Sequence, residues 1–160
     1  CGCALGPTYE QAAESRLIGF NYAAADHLLT QALPALDPRK PVVATTLVSI
    51  DDPNRSSRLG RLISEHMASR LTQSGMPVLA TANRGILVQK AEGATVLSRE
   101  AQDVTASHSS HAVMVGTYAR AGDYVYITVK LVRSGDNLVV AAYNYVLPLD
   151  TNIEAMLPPR

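Results

Sequence analysis

The last third of the chain constrains the fold most: in AVMVGTYARAGDYVYITVKLVRSGDNLVVAAYNYVLPL, three β-rich runs are separated by Ala-Gly-Asp and Ser-Gly-Asp. Short glycine-containing breaks between β-branched and aromatic runs are hairpin signals, so this segment reads as a three-stranded antiparallel meander. Along the middle run, Val125, Ile127, Val129 and Leu131 alternate with Tyr124, Tyr126, Thr128 and Lys130. Successive strand residues point to opposite faces, so one face needs covering and the other is partly wet.

The cover must come from upstream. Over residues 9–33, Ala13, Leu17, Phe20, Ala24, Leu28 and Ala32 recur at steps of three and four, the spacing of one apolar helical stripe, and Pro34 stops it. VVATTLVSI, from Val42 to Ile50, is β-branched and predicts one strand, closed by the turn cluster Asp51, Asp52, Pro53, Asn54. Leu59, Leu62, Ile63, Met67 and Leu71 then share a helical face, with Arg58, Arg61, Glu65 and Ser69 outside it. Ser56 or Ser57 caps the start of this helix and Gly75 ends it. PVLAT (77–81) predicts a short strand, ILV (86–88) is an ambiguous apolar patch, and Ser98 caps a short helix to about Ser107. The reading is an α/β (α+β) fold: a single mixed β-sheet with a C-terminal antiparallel three-stranded meander, flanked by helices. Residues 9–160 form one domain, long enough to bury a core without internal disulfides.

Fourteen Lys and Arg balance fourteen Asp and Glu. A charge-neutral chain with no basic stripe lacks what a general nucleic-acid binder uses to displace phosphate counterions, so no nucleic-acid partner is expected. No apolar run approaches the roughly 20 residues that span hydrocarbon as a helix.

The two cysteines, Cys1 and Cys3, both precede the predicted domain. Their i, i+2 spacing suits neither a disulfide nor, without a third ligand nearby, a tetrahedral metal site. A first residue Cys followed by a small Gly2 resembles a mature bacterial lipoprotein, cut before its acylated cysteine. In that reading residues 1–8 are a lipidated tether, Cys1 carries the lipid, and Gly2 rather than Asp matches retention in the outer membrane. Cys3 is then a lone thiol expected to form intermolecular disulfides. The alternative is a chain that begins at an arbitrary cysteine.

Catalytic constellations are sparse. His108 and His111 bracket HSSH without a completing carboxylate or Cys, so no metal and no cofactor are expected. Asp51 and Asp52 sit where carboxylates gather at the end of an α/β sheet, but the following Pro53 and Asn54 make an Asx turn sufficient explanation. His66 lies beside an apolar helix stripe. No Gly-x-Ser-x-Gly, phosphate loop or Cys–His pair exists in the body of the chain, and no catalytic residue is assigned. Seven Tyr stand against one Phe and no Trp. Tyr118, Tyr124, Tyr126, Tyr143 and Tyr145 fall in the meander, and Tyr presents a flat ring with a wet tip that suits interfaces. Together with Arg58 and Arg61, these five form the candidate interaction surface; half-wet strands explain the tyrosines equally well, and a solvated helix face the arginines.

The words LGRLISEHMASRLTQSGMPV, LSRE and VGTYARAGDYVYITVKLV, followed by VVAAYNYVLP, resemble the FlgO family of bacterial outer-membrane lipoproteins. The likeness runs from about Leu28 to the end. AEGATV (91–96) departs from it where a bulkier aromatic is expected. The resemblance implies a fold similar to the TolB N-terminal domain, CsgG and LpoB. It also implies a non-enzymatic role at the periplasmic face of the outer membrane, in the flagellar apparatus and motility, through contacts with envelope or flagellar proteins or with copies of itself. Two other classes stay open: a periplasmic regulator of an envelope enzyme, as LpoB-like domains are, and a small-molecule binder or hydrolase at the sheet edge near Asp51, Asp52 and His66 or His111.

Overall fold

The structure, a computed structural model, describes residues 15–80, 88–91, 94–97 and 110–159. The chain runs α1 (Leu17–Ala32), β1 (Val42–Ala44), β2 (Val48–Ser49), α2 (Arg58–Gln73), β3 (Val78–Ala80), β4 (Val88–Ala91), β5 (Ala94–Leu97), β6 (Ala112–Ala121), β7 (Tyr124–Arg133), β8 (Val139–Pro148) and α3 (Thr151–Met156). The main sheet has the order β3-β1-β6-β7-β8, with β2 also on β6. β1 pairs in parallel with β3 and β6, and the meander β6-β7-β8 is antiparallel throughout, so the sheet is mixed. Separately, β4 and β5 form an antiparallel pair of their own, with Ala91 opposite Ala94. Only its start at Val88 touches the ambiguous patch of the sequence reading.

The alternation in the middle strand sorts the layers. Val125, Ile127, Val129 and Leu131 are buried with Leu28, Ile63, Met67 and Leu71 in one core under α1 and α2. The opposite face carries a smaller cluster of Val43, Val113, Val115 and Val132, with Leu79 against it. α1 and α2 are clamped to each other by Arg70, whose Nε and Nη2 donate to the two Asp26 carboxylate oxygens at 2.8 and 2.9 Å.

The strand expected over Val42–Ile50 is interrupted. Ala44 is opposite Met114 and Val48 opposite Thr117, so Thr45, Thr46 and Leu47 face only Val115 and Gly116. The extra residue turns Leu47 out of the ladder, and its N–H donates to the Gly60 carbonyl of α2 at 3.3 Å. Ser64 Oγ donates to the Thr45 carbonyl at 2.7 Å, fixing α2 over the break. A β-branched run predicts strand but not a one-residue excess, which packing against α2 imposes.

α2 starts where its cap predicts: Ser57 Oγ accepts the Gly60 N–H at 3.0 Å. It ends in a Schellman turn, with Gly75 at φ +88° and the Met76 N–H on the Leu71 carbonyl at 3.0 Å. α1 begins at Leu17, and the expected stretch 9–14 lies outside the described residues, as do the helix expected over 98–107, His108 and both cysteines. The tail after the meander, for which the sequence predicts no element, holds α3: Asp150 caps it through Ile153 N–H at 2.8 Å, and Ile153 and Leu157 are buried. The Asp150 cap followed by Glu154 in the first turn was a signal in the sequence.

Candidate functional site

The residues that the sequence grouped together fall on two separate surfaces and in the interior between sheet and helices. Tyr124 and Tyr126 are 49% and 51% exposed on the sheet face opposite the helices. Register places Tyr126 between Ala119 and Val146, and Tyr124 between Ala121 and Pro148. Val146 is itself exposed, so these side chains form an open patch with apolar bodies and wet hydroxyl tips. Arg58 and Arg61 are exposed on α2, which packs on the other side of the sheet.

Tyr118, Tyr143 and Tyr145 are a correction, because they face the helices. Tyr118 is only 3% exposed, inside the core, since the even positions of β6 from Ala112 to Tyr118 point under α2. Tyr143 is half-buried, its ring stacked on His27 of α1 with centroids 4.4 Å apart and an interplanar angle of 11°. Tyr145 is half-buried and donates its O–H to Asn21 Oδ1 at 2.5 Å.

That last bond belongs to a polar seam the sequence reading missed. Asn21, fully buried on α1, passes the chain on by donating from Nδ2 to His66 Nδ1 of α2 at 3.0 Å. One amide thus satisfies a phenol from β8 and an imidazole from α2. Burial raises the Tyr145 phenol well above its usual range. Burial also lowers His66, with Glu65 opposing, so the neutral imidazole accepts from Asn21. The signal was a lone Asn inside an apolar helical stripe, where Asn has poor helix propensity and needs a partner. Gln31, one turn beyond His27, was missed as well: its Nε2 donates to the Ala142 carbonyl at 3.1 Å and its Oε1 accepts the Ala142 N–H at 3.2 Å.

The sheet-edge chemistry considered for Asp51, Asp52, His66 and His111 is not assembled. Asp52 accepts the Asn54 N–H at 3.1 Å in an Asx turn, and both aspartates are exposed beyond β2. His111 immediately precedes β6, at the other end of the sheet, its N–H on the Pro41 carbonyl at 3.2 Å. From His111 to Tyr118, the neighbour of the Asp51 turn, is roughly 23 Å at the strand rise. His66 is engaged in the interior seam. Among the described residues no group of three or more His, Cys, Asp or Glu could hold a metal ion, and no helix is long and apolar enough to cross a membrane.

A family model described as FlgO protein matches residues 22–152. The chain belongs to the FlgO family. The match takes in α1 from Tyr22 on, the Leu47 break, the meander and the start of α3, so it covers every element of the main sheet. This FlgO-family domain is also similar in fold to the LpoB C-terminal domain from Salmonella enterica, with TM-score 0.58, 9% identity, and 82% of this chain and 98% of that one covered. The LpoB C-terminal domain from Escherichia coli gives TM-score 0.53, 11% identity, and 79% and 97% coverage. A comparison with curated proteins finds no match.

Proposed function

We propose that this FlgO-family chain is a non-catalytic lipoprotein of the bacterial envelope. In this reading residues 1–8 tether the domain through a lipid on Cys1 to the periplasmic face of the outer membrane. The domain of residues 9–160 serves the flagellar outer-membrane apparatus, and hence motility, through protein contacts. Family membership over residues 22–152 carries the reading. The open Tyr124 and Tyr126 face supplies a surface suited to a partner, because it is broad, apolar in body and free of competing core contacts. Stable anchoring requires more than one acyl chain, so Cys1 must be multiply acylated.

The experiment is deletion of the gene, complemented by wild type or by Cys1→Ser, scored for swimming, flagellar attachment and membrane fractionation. Loss of swimming on deletion, with Cys1→Ser released to the soluble periplasmic fraction and failing to complement, is the expected result. Normal motility in the deletion strain removes the flagellar role. A deletion strain that swims normally but becomes sensitive to cell-wall antibiotics instead favours regulation of an envelope enzyme, the reading that the LpoB-like fold supports.

A further inference from the structure

β8 ends the main sheet, and among the described residues no strand neighbours the outer side of its backbone. Ala142 presents both its N–H and C=O to Gln31 on that outer side, whereas the Leu149 N–H reaches the Asp123 carbonyl at 2.7 Å on the inner side. In an antiparallel strand such groups alternate, so Asn144 and Val146 also point theirs outward. Both residues are exposed, and among the described residues no hydrogen bond reaches either backbone there. Folded proteins ordinarily guard an edge of this kind with charge, yet Asn137 to Leu149 carries none. The edge is blocked at its two ends instead: Gln31 occupies Ala142, and Pro148 has no N–H to offer.

We propose that this edge is a self-association site, at which β8 of one copy pairs antiparallel with β8 of a second copy about a twofold axis at Tyr145. The open stretch maps onto itself under that rotation. Asn144 of one copy meets Val146 of the other, and each pair exchanges both bonds, giving about four inter-chain hydrogen bonds. A longer foreign strand gains nothing beyond this stretch, because Gln31 and Pro148 bar it at either end, while a second copy uses every free group. No like charges meet across the axis.

α1 supplies the apolar flank. Phe20 lies seven and eleven residues before His27 and Gln31, which places it on the helix face that contacts β8, and it is 38% exposed. Pairing covers it against the second copy. The two sheets become one continuous sheet, with the Tyr126 and Val146 faces side by side. This association requires neither the lipid nor a flagellar role.

The test is sedimentation of the full chain under reducing conditions across a concentration series, with amide hydrogen exchange read at each concentration. A concentration-dependent dimer, with the Asn144 and Val146 amides gaining protection as it forms, is expected. Val146→Pro removes only an outward N–H and leaves the β7 ladder intact, so it weakens dimerisation about tenfold or more while the circular dichroism spectrum is kept. If that variant misfolds, Val146→Lys at the same exposed position gives the same readout by setting two charges beside the axis. A wild type that stays monomeric at every concentration overturns the assignment. So does a dimer without protection at Asn144 and Val146, or any assembly that ignores the folded variants.

Discussion

The carbonyl oxygen of Leu47 fills the space that a Cβ on Gly60 would need, and the Leu47 carbonyl carbon stands 3.0 Å from that position. On its other side the Leu47 side chain closes over Gly116, where a Cβ would lie 2.7 Å from Leu47 Cγ and 2.9 Å from the Thr128 carbonyl oxygen. The fully buried Leu47 is thus seated between two glycines, one on α2 and one on β6. Both obstructions at Gly60 are backbone and cannot swing aside. Gly60→Ala is expected to cost about 1–3 kcal/mol, and Gly116→Ala a similar amount, in urea unfolding at unchanged slope. Gly19 on α1 has nothing within 4 Å of its Cβ position. Gly19→Ala therefore stabilises by about 0.5–1 kcal/mol, and the opposite signs separate close packing from helix propensity.

Among the described residues, Asn21 is the group that satisfies both Tyr145 and His66, so its loss has an asymmetric cost. Asn21→Ala strands a buried imidazole nitrogen and a phenol together and is expected to destabilise by about 1–3 kcal/mol plus the small cavity it leaves. Tyr145→Phe leaves only one acceptor lone pair of Asn21 without a donor, and is expected to cost about 1 kcal/mol. Thermal unfolding of the two variants and their double mutant checks the coupling: costs that add fully mean that the seam is not a network.

These two sites show what the sequence can and cannot reveal. The meander was legible because its turns and its period-two pattern agree, and β7 buries Val125, Ile127, Val129 and Leu131 as that pattern requires. The helix α2 was legible because its cap, stripe and terminal glycine agree. The break at Leu47 was not, since nothing local distinguishes a continuous β-branched run from one carrying a single residue too many; the decision is made by Gly60 and Gly116, one of them far along the chain. The tyrosines divided for the same reason. A strand residue is assigned to a face by parity, and Tyr143 and Tyr145 share parity with the buried Ala141 and Leu147. Only knowing which face the helices cover separates them from Tyr124 and Tyr126.

Stability is expected to fall as pH drops from about 7 to about 5. Burial lowers His66 and His111 below the ordinary 6.5, with Lys40 adding to the effect at His111. Each therefore binds its proton more readily when unfolded, so its contribution is complete above 6.5 and is lost as pH falls below that value. Protonation of His66 at Nδ1 also sets a donor against the Asn21 donor. The aspartates act in a separate window: Asp37, held down to about 2 by Arg39, and Asp136, lowered by Arg133, lose their share only below 3.8. Urea midpoints measured between pH 7 and 5 should slope less in His66→Gln than in wild type, with the remaining slope removed by adding His111→Gln. A slope unchanged in the double variant would mean that neither imidazole is responsible.

Tyr124 and Tyr126 differ from Tyr143 in what a charge does to them. The first two are about half exposed on the open face of the sheet, so Tyr124→Glu and Tyr126→Glu leave stability within about 1 kcal/mol of wild type. Tyr143 lies flat on His27 and packs against the core, and Tyr143→Glu is expected to destabilise by more than 2 kcal/mol through burial of an unpaired carboxylate. If the outer face of the meander is where a partner docks, the two stable variants lose complementation of the deletion strain while remaining folded and correctly localised. A glutamate at the centre of such a face forfeits ring contacts and must be desolvated, which removes about 2 kcal/mol or more of binding. Full complementation by the double variant Tyr124→Glu, Tyr126→Glu would show that the protein works through another surface, with the exposed α2 face at Arg58 and Arg61 the next to be changed.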